Sequence, residues 1–284
     1  MSKVGLVLEG GAMRGMYTAG VLDVMLDNNI KIDGIVSVSA GALFGVNYFS
    51  KQRGRVIRYS KRFCKDLRYM SLLSYLLTGN VVNKNFAYYK VPNKLDLFDE
   101  EEFEKNNGCY YVAVTNVETG KPEYKKIKNC LSSIEELRAS SAMPMASKII
   151  TINNKKYLDG GISDAIPIEK CKKLGFDKII VILTQPLDYR KDPLSNKTIK
   201  RLCKKFKKYP KLVNTMKERY NNYNSTLDKI IKMEEKNKIF VFRPSEKINV
   251  KIIERDKHQL QDVYDMGIKD ASHNINKLKK YLEI

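Results

Sequence analysis

The first 50 residues contain one pattern twice: a short β-branched apolar run, a turn of small residues, then apolar residues at helical spacing. "VGLVL" (4–8) ends at Gly10 and Gly11 and leads into "MYTAGVLDVMLDNN" (16–29), which an Asn pair stops. "DGIVSVS" (33–39) leads into "AGALFGVNYFSKQ". Short runs without polar alternation are buried strands, and strand, helix, strand, helix in this order implies a parallel sheet with right-handed crossovers. With 284 residues and 43% hydrophobic content, the chain can bury one large core with appended pieces.

Residues 51–108 interrupt the pattern. A basic helix, "GRVIRYSKRFCKDL", precedes "YMSLLSYLLTGNVV" and an acidic "DEEEFE", which reads as an insertion able to cover a substrate. Regularity returns with "CYYVAVTNVETGKPEYKKI" (109–127), two strands around a Thr-Gly turn. "SIEELRASSAM" predicts a helix with Ser133 as N-cap, and "KIITINNKKYLDGG" a hairpin with Asn153 and Asn154 at its tip. Pro167 suits the first turn of a helix to about residue 174, and "DKIIVILT" (177–184) is another buried strand.

Beyond residue 190 the chain reads as helical. "TIKRLCKKFKK" puts Ile199, Leu202, Cys203 and Phe206 on one face, and Pro210 separates it from a longer helix carrying Leu212, Met216, Tyr220, Tyr223, Leu227 and Ile231. "KIFVFRPS" (238–245) is a late strand and 254–282 a terminal helix. The expected organisation is a domain over 3–185 with a lid or insertion at 51–108, and a helical C-terminal extension over 190–284 that returns strand 238–245 to the sheet.

Lys and Arg outnumber Asp and Glu by 52 to 32, a net charge of +20 that favours anionic surfaces, although much of such charge ordinarily faces solvent. The five cysteines, Cys64, Cys109, Cys130, Cys171 and Cys203, form no CxxC pair and read as reduced thiols of a cytoplasmic protein. Nowhere do about 18 apolar residues run together, so neither a signal peptide nor a transmembrane helix is expected. No His, Cys and carboxylate cluster has metal-ligand spacing, and no cofactor is expected.

Three glycine-centred turns are the candidates for chemistry. "EGGAMRG", with Gly10, Gly11, Arg14 and Gly15, joins a strand to a helix N-terminus, where free amides and the helix dipole can hold an anion. It lacks dinucleotide spacing and the Lys-Ser/Thr of a P-loop. "SVSAG" places Ser39 at a strand-turn-helix tip, with Gly41 allowing the close turn and Ser37 where the usual elbow has glycine. "YLDGGISDAIP" puts Asp159 at a strand end before Gly160 and Gly161; Asp-Gly is also an ordinary turn pair.

A serine nucleophile needs a base, and the two histidines, His258 and His273, lie in the helical tail. Asp159 is the alternative, since a desolvated carboxylate within hydrogen-bond reach can take the serine proton. Ser39 then attacks a carbonyl, Asp159 takes its proton and later activates water, and the Gly10 and Gly11 amides hold the oxyanion.

"GGAMRG", "SVSAGA", "ASSAMP" (139–144) and "DGGISDAIP", in that order, resemble the patatin-like phospholipase family over about residues 3–185, and the late strand and terminal helix resemble a bacterial branch of it. The resemblance implies an α/β/α three-layer fold with a mostly parallel central sheet, a Ser39/Asp159 dyad without histidine, an oxyanion loop at Gly10, Gly11, Arg14 and Gly15, and hydrolysis of lipid esters. Ser37 departs from the family pattern, and strain is expected there if the position needs a glycine conformation.

The expected partner is a phospholipid or other acyl lipid, with the basic run from Lys51 to Arg68 facing anionic headgroups at a membrane surface. Two other readings stand beside this. One is an α/β-hydrolase using Ser39, Asp159 and His258, whose chain order fits but whose nucleophile follows too few strands. The other is a non-catalytic basic module that binds membrane or nucleic acid through the lysine run 197–211 with Phe206 and Tyr209; no nucleic-acid fold motif supports it, so nucleic acid is not expected.

Overall fold

A computed structural model describes residues 2–284. Eight strands form one sheet: β1 (Val4–Leu8), β2 (Gly34–Ser37), β3 (Cys109–Asn116), β4 (Pro122–Ile127), β5 (Ile150–Ile152), β6 (Lys155–Asp159), β7 (Lys178–Ile182) and β8 (Phe240–Phe242). Ten α-helices accompany them: α1 (Gly15–Asp27), α2 (Ala40–Phe49), α3 (Arg55–Phe63), α4 (Leu72–Thr78), α5 (Glu100–Lys105), α6 (Ile134–Ser140), α7 (Ile168–Lys173), α8 (Asn196–Lys205), α9 (Pro210–Glu235) and α10 (Lys257–Leu282). The sheet order is β5-β6-β3-β2-β1-β7-β8, with β4 also on β3. Strands β3, β2, β1, β7 and β8 run parallel, and β4, β6 and β5 are antiparallel to their neighbours.

Side chains alternate across each strand, and buried clusters form on both faces of the sheet, with a further one where Val114 and Leu158 meet Leu202, Phe206 and Leu212. Leu6, Leu8, Ile35, Ile180 and Ile182 face a layer built from α1, α2, α3 and α10. Val7, Val36, Ile179 and Val181 face the opposite layer, where Ile168 and Cys171 of α7 meet Tyr223, Leu227 and Ile230 of α9. This is the expected three-layer α/β/α arrangement.

The helical tail is built into this frame. Helix α10 lies against α1 where two glycines oppose one another: a Cβ on Gly20 would fall 2.2 Å from the Tyr264 carbonyl oxygen, and one on Gly267 2.2 Å from that of Tyr17. Tyr264 also donates its hydroxyl to the buried Asp23 at 2.6 Å. Strand β8 adds parallel to β7, so the sheet takes its last strand from beyond α9.

Several expectations need correction. The late strand spans Phe240–Phe242 rather than 238–245. Ser133 occupies the N-cap of α6, but its side chain accepts no capping bond. Cys203 is exposed, because Leu202 and Phe206, one turn apart, carry the buried stripe of α8 and Ile199 is only half-buried. In α9 the buried position is Ile230 and Ile231 is half-buried, as the 3.6-residue period dictates after Tyr223 and Leu227. The Asn153-Asn154 tip has positive φ at both residues, as a tight hairpin requires.

In the insertion, Asp96 is buried between Arg55 and Arg58, 3.1 Å from the Arg55 Nε and accepting 2.8 and 2.9 Å bonds from the Arg58 guanidinium. Lys51, Arg53 and Arg68 pair with Glu102, Asp27 and Asp66. Five cations of the basic run from Lys51 to Arg68 are thus ion-paired within the chain, four of them, Lys51, Arg53, Arg58 and Arg68, remaining more than half exposed. No helix among the described residues is long and apolar enough to cross a membrane.

Candidate active site at the carboxyl ends of the parallel strands

Strand β3 is the ruler that brings the two motif residues together. Ser37 pairs with Val112 and Asp159 with Val114, so the ends of β2 and β6 meet at neighbouring levels of β3. Two residues beyond Ser37, the Ser39 Oγ donates a 2.9 Å hydrogen bond to the Asp159 Oδ2. Open parallel sheets place ligand sites at this edge, outside the carboxyl ends of their strands.

Ser39 has φ 55° and ψ −122°, a conformation that costs a non-glycine residue about 1–3 kcal/mol. It is held by its amide, which donates 2.9 Å to the Ser140 Oγ, and it occupies the N-cap position of helix α2 without a side-chain capping bond, where the helix dipole adds positive charge near the hydroxyl. Gly41 makes the tight turn possible, since a Cβ there would lie 2.8 Å from the Glu9 carbonyl oxygen. Ser37 is an ordinary buried strand residue outside the positive-φ region, its Oγ donating to the Tyr111 carbonyl at 3.2 Å. Position 37 therefore does not need a glycine conformation and serine fits there without strain; the positive φ is at Ser39.

Asp159 is 7% exposed, and burial pushes its carboxyl above the usual range; the Gly161 amide, the Arg219 guanidinium and Ser39 pull it part of the way back. The Gly161 N–H donates to the Asp159 Oδ1 at 2.7 Å, which leaves Oδ2 for Ser39. The Asp159 amide donates to the Ala142 carbonyl at 2.9 Å, and the Thr115 hydroxyl donates to the Asp159 carbonyl at 2.8 Å. Gly160 has no room for a side chain: a Cβ would fall 2.2 Å from the Ala113 carbonyl oxygen.

The glycine loop differs from expectation in which amides are open. The Gly10 N–H leans on the Ala165 carbonyl at 3.4 Å, and Gly10 is required mainly because a Cβ would sit 2.9 Å from the Ser39 Cβ. Ala12–Arg14 form a 3-10 turn that uses the Arg14 amide on the Gly11 carbonyl and the Gly15 amide on the Ala12 carbonyl. Gly15 is a packing position, a Cβ there meeting Phe44 at 2.8 Å. Among the described residues, the Gly11 and Ala12 amides have no acceptor. Ala12, with φ 49°, lines the same cavity as Ser39. Gly10, Arg14 and Gly15 thus have their amides engaged or their space filled, while the Gly11 amide, singled out in the sequence, and the Ala12 amide, which was not, are left open.

Behind the loop, Glu9 is buried, its Oε2 accepting from the Thr184 amide and its Oε1 from the Tyr223 hydroxyl, both at 2.6 Å. Burial raises the Glu9 carboxyl despite these bonds and the nearby Arg14. Lys191 is pushed down to about 8, first by burial and then by Arg219 and Arg14. Arg219 of α9 donates its Nε to the Gly161 carbonyl at 2.5 Å, which fixes the turn that holds Asp159.

Ser39 opens onto a cavity of about 160 Å³. Its wall is mostly apolar, with Leu43 and Phe44 of α2, Tyr69, Met70 and Val82 of the insertion, and Met143; Arg55 also lines it, and the Tyr88 hydroxyl and Ser141 Oγ, bonded at 2.9 Å, form a polar pair. Both histidines are exposed on α10 and neither lines the cavity. The triad with His258 therefore lacks its base. Phe206 is buried and Tyr209 half-buried, so the lysine run 197–211 offers no aromatic platform to nucleic acid.

Sequence reasoning missed Ser140, Ala142, Thr115 and Arg219. The first two lie in "ASSAMP", quoted for its resemblance without a role; nothing near Arg219 in the sequence marks it.

A family model described as patatin-like phospholipase matches residues 6–171, and the chain belongs to that family, a class of hydrolases acting on lipid ester bonds. A second model, a domain of unknown function (DUF6363), matches residues 209–283. The chain is 26% identical over 275 residues to the uncharacterized protein YjjU of Escherichia coli, covering 93% of this chain and 75% of that protein. It is 28% identical over 194 residues to lysophospholipase NTE1 of Meyerozyma guilliermondii, covering 66% of this chain and only 13% of the relative. Among solved structures, VipD from Legionella pneumophila aligns over 97% of this chain and 67% of that chain with a TM-score of 0.47 and 13% identity.

Proposed function

We propose that the protein is a serine lipid acyl hydrolase in which Ser39 and Asp159 form a catalytic dyad. The reading is carried by one observation, the 2.9 Å bond from the Ser39 Oγ to the Asp159 Oδ2 at the wall of an apolar cavity. Ser39 Oγ attacks the ester carbonyl carbon while its proton passes to Asp159 Oδ2. The oxyanion is held by the Gly11 and Ala12 amides, and the acyl chain lies in the cavity. Collapse breaks the ester bond, and Asp159 returns the proton to the leaving alcohol. Water then attacks the acyl-Ser39 ester, giving its proton to Asp159, and the fatty acid leaves as Ser39 regains its hydrogen.

The substrate class is a carboxylic ester of a phospholipid or lysophospholipid, a reading supported by the apolar cavity and by the printed activity of the NTE1 relatives. Residues 51–108 act as the cavity roof, and the 190–284 extension braces the dyad through Arg219. The five free thiols fit a reducing, cytoplasmic compartment.

The test is hydrolysis of nitrophenyl esters, phosphatidylcholine and lysophosphatidylcholine by wild type, Ser39→Ala and Asp159→Asn, with folding checked by circular dichroism. Turnover lost in both folded variants supports the dyad; turnover that survives Ser39→Ala rejects it.

A further inference from the structure

Helix α4 is built inside out for a helix facing water. Its seven residues, Leu72–Thr78, bury only Ser74, whose Oγ donates to the Asn80 carbonyl at 2.8 Å. The preceding Ser71 is also buried and caps the helix through a 2.9 Å bond from the Ser74 amide. The leucines point the other way: Leu72, Leu73, Leu76 and Leu77 are 70%, 47%, 80% and 76% exposed. The serines are engaged inward, so the outward leucines are the designed face of a closed, capped turn. Contiguous exposed leucines of this kind mark an interaction surface.

The position of the helix indicates what it meets. Met70 and Val82 form a bridge, both line the cavity beside Ser39, and α4 is the excursion between them. The Val81 amide donates to the Ala146 carbonyl at 2.8 Å and the Lys148 amide to the Asn80 Oδ1 at 3.0 Å, which ties α4 to the 143–148 segment. That segment adds exposed Met145 next to cavity-lining Met143, and Ile252 both lines the cavity and is 57% exposed. The solvent-facing leucines of α4 are thus flanked in the chain by Met70 and Val82, which line the cavity beside Ser39. Lys148, against the C-cap Gly79, and Lys65, just before exposed Leu67, carry no ion pair among the described residues, on a chain of net charge +20.

We infer that α4 is the element by which the enzyme docks on the surface of an anionic phospholipid bilayer, with Leu72, Leu73, Leu76 and Leu77 entering the headgroup and acyl boundary and Lys65 and Lys148 meeting the headgroups. An amphipathic segment inserts this way by burying its apolar face while basic residues meet the anionic lipid. This rests on the lipid-hydrolase reading and names the partner surface of that site. Of the run from Lys51 to Arg68 it uses only Lys65, since Lys51, Arg53, Arg55, Arg58 and Arg68 are ion-paired internally.

The chain has no tryptophan, so one substitution makes a clean reporter. Leu76→Trp is placed on a Ser39→Ala background, so that vesicles survive the measurement, and mixed with vesicles of equal parts phosphatidylcholine and phosphatidylglycerol. The expected result is a blue-shifted indole, quenched by brominated lipid. In parallel, Leu76→Glu/Leu77→Glu, with the circular dichroism of wild type, loses vesicle co-sedimentation by about tenfold or more. An unshifted indole on vesicle-bound protein, or co-sedimentation unchanged by the two glutamates, overturns the inference. So does a dimer in sedimentation velocity that the glutamates dissociate without changing vesicle binding, because a second copy then covers α4. If the protein docks as described yet wild type hydrolyses no ester, the docking surface stands and the dyad reading fails.

Discussion

The Ser39 hydroxyl and the Asp159 carboxylate, 120 residues apart in the chain, meet at 2.9 Å because β3 holds both of their strands. The carboxylate is the stressed partner, buried and raised above its usual value. In the folded chain it binds its proton more tightly than in the unfolded one, so this group's contribution to stability falls as pH rises through the interval up to the raised value. Asp159→Asn removes that cost; its Oδ1 still accepts from the Gly161 amide, and its Nδ2 can donate to the Ser39 Oγ. Its expected thermal midpoint at neutral pH equals or exceeds that of wild type, while turnover falls by about 100-fold to 10,000-fold. Calorimetry beside ester hydrolysis checks both.

Arg219 pulls Asp159 back toward ionisation and pins the Gly161 carbonyl. With Asp159 as the base of the proposed dyad, turnover requires its ionised form and is expected to be lost as pH falls through its raised value. In Arg219→Gln that acid limb moves to higher pH, and in Arg219→Lys it moves less. A purely structural role for Arg219 lowers the plateau and leaves the limb in place, so a pH profile of kcat/KM separates the two.

Asp96 neutralises Arg55, whose own side chain is 5% exposed. Asp96→Ala strands a buried guanidinium at the cavity wall, and an expected loss of about 3–5 kcal/mol in urea unfolding follows. Arg58, more than half exposed, is the lesser partner: Arg58→Ala costs about 1 kcal/mol or less, since solvent screens it.

Gly267 lets α10 touch α1, its absent Cβ leaving room for the Tyr17 carbonyl. Gly267→Val forces the helices apart and costs about 1–3 kcal/mol or more. The two helices are one packing unit, so thermal unfolding is expected to shift as a single transition rather than split.

The alternation of strands and helices was legible because buried parallel strands and amphipathic helices leave different periods, and Ser39, Asp159 and Gly41 were legible because their turns need small residues. The open amides were not: Gly10, Gly11, Arg14 and Gly15 look alike in sequence, and only the 3-10 turn decides that Arg14 and Gly15 spend theirs while Ala12 keeps its own. Sequence leaves open whether position 37 needs a glycine conformation; the positive φ lies at Ser39 and not at Ser37, so a small serine fits there. Arg219 and the ion pairs of Lys51 to Arg68 join residues distant in sequence, and charge composition does not reveal who pairs with whom.

The central claim is that Ser39 is a nucleophile activated by Asp159, and covalent trapping tests it most directly. A fluorophosphonate reacts with an activated serine, and peptide mass spectrometry locates the adduct. The account predicts one adduct on Ser39, absent in Ser39→Ala and formed at least about 100-fold more slowly in Asp159→Asn. An adduct on another serine, or labelling of Ser39 at an unchanged rate without the Asp159 carboxylate, contradicts it.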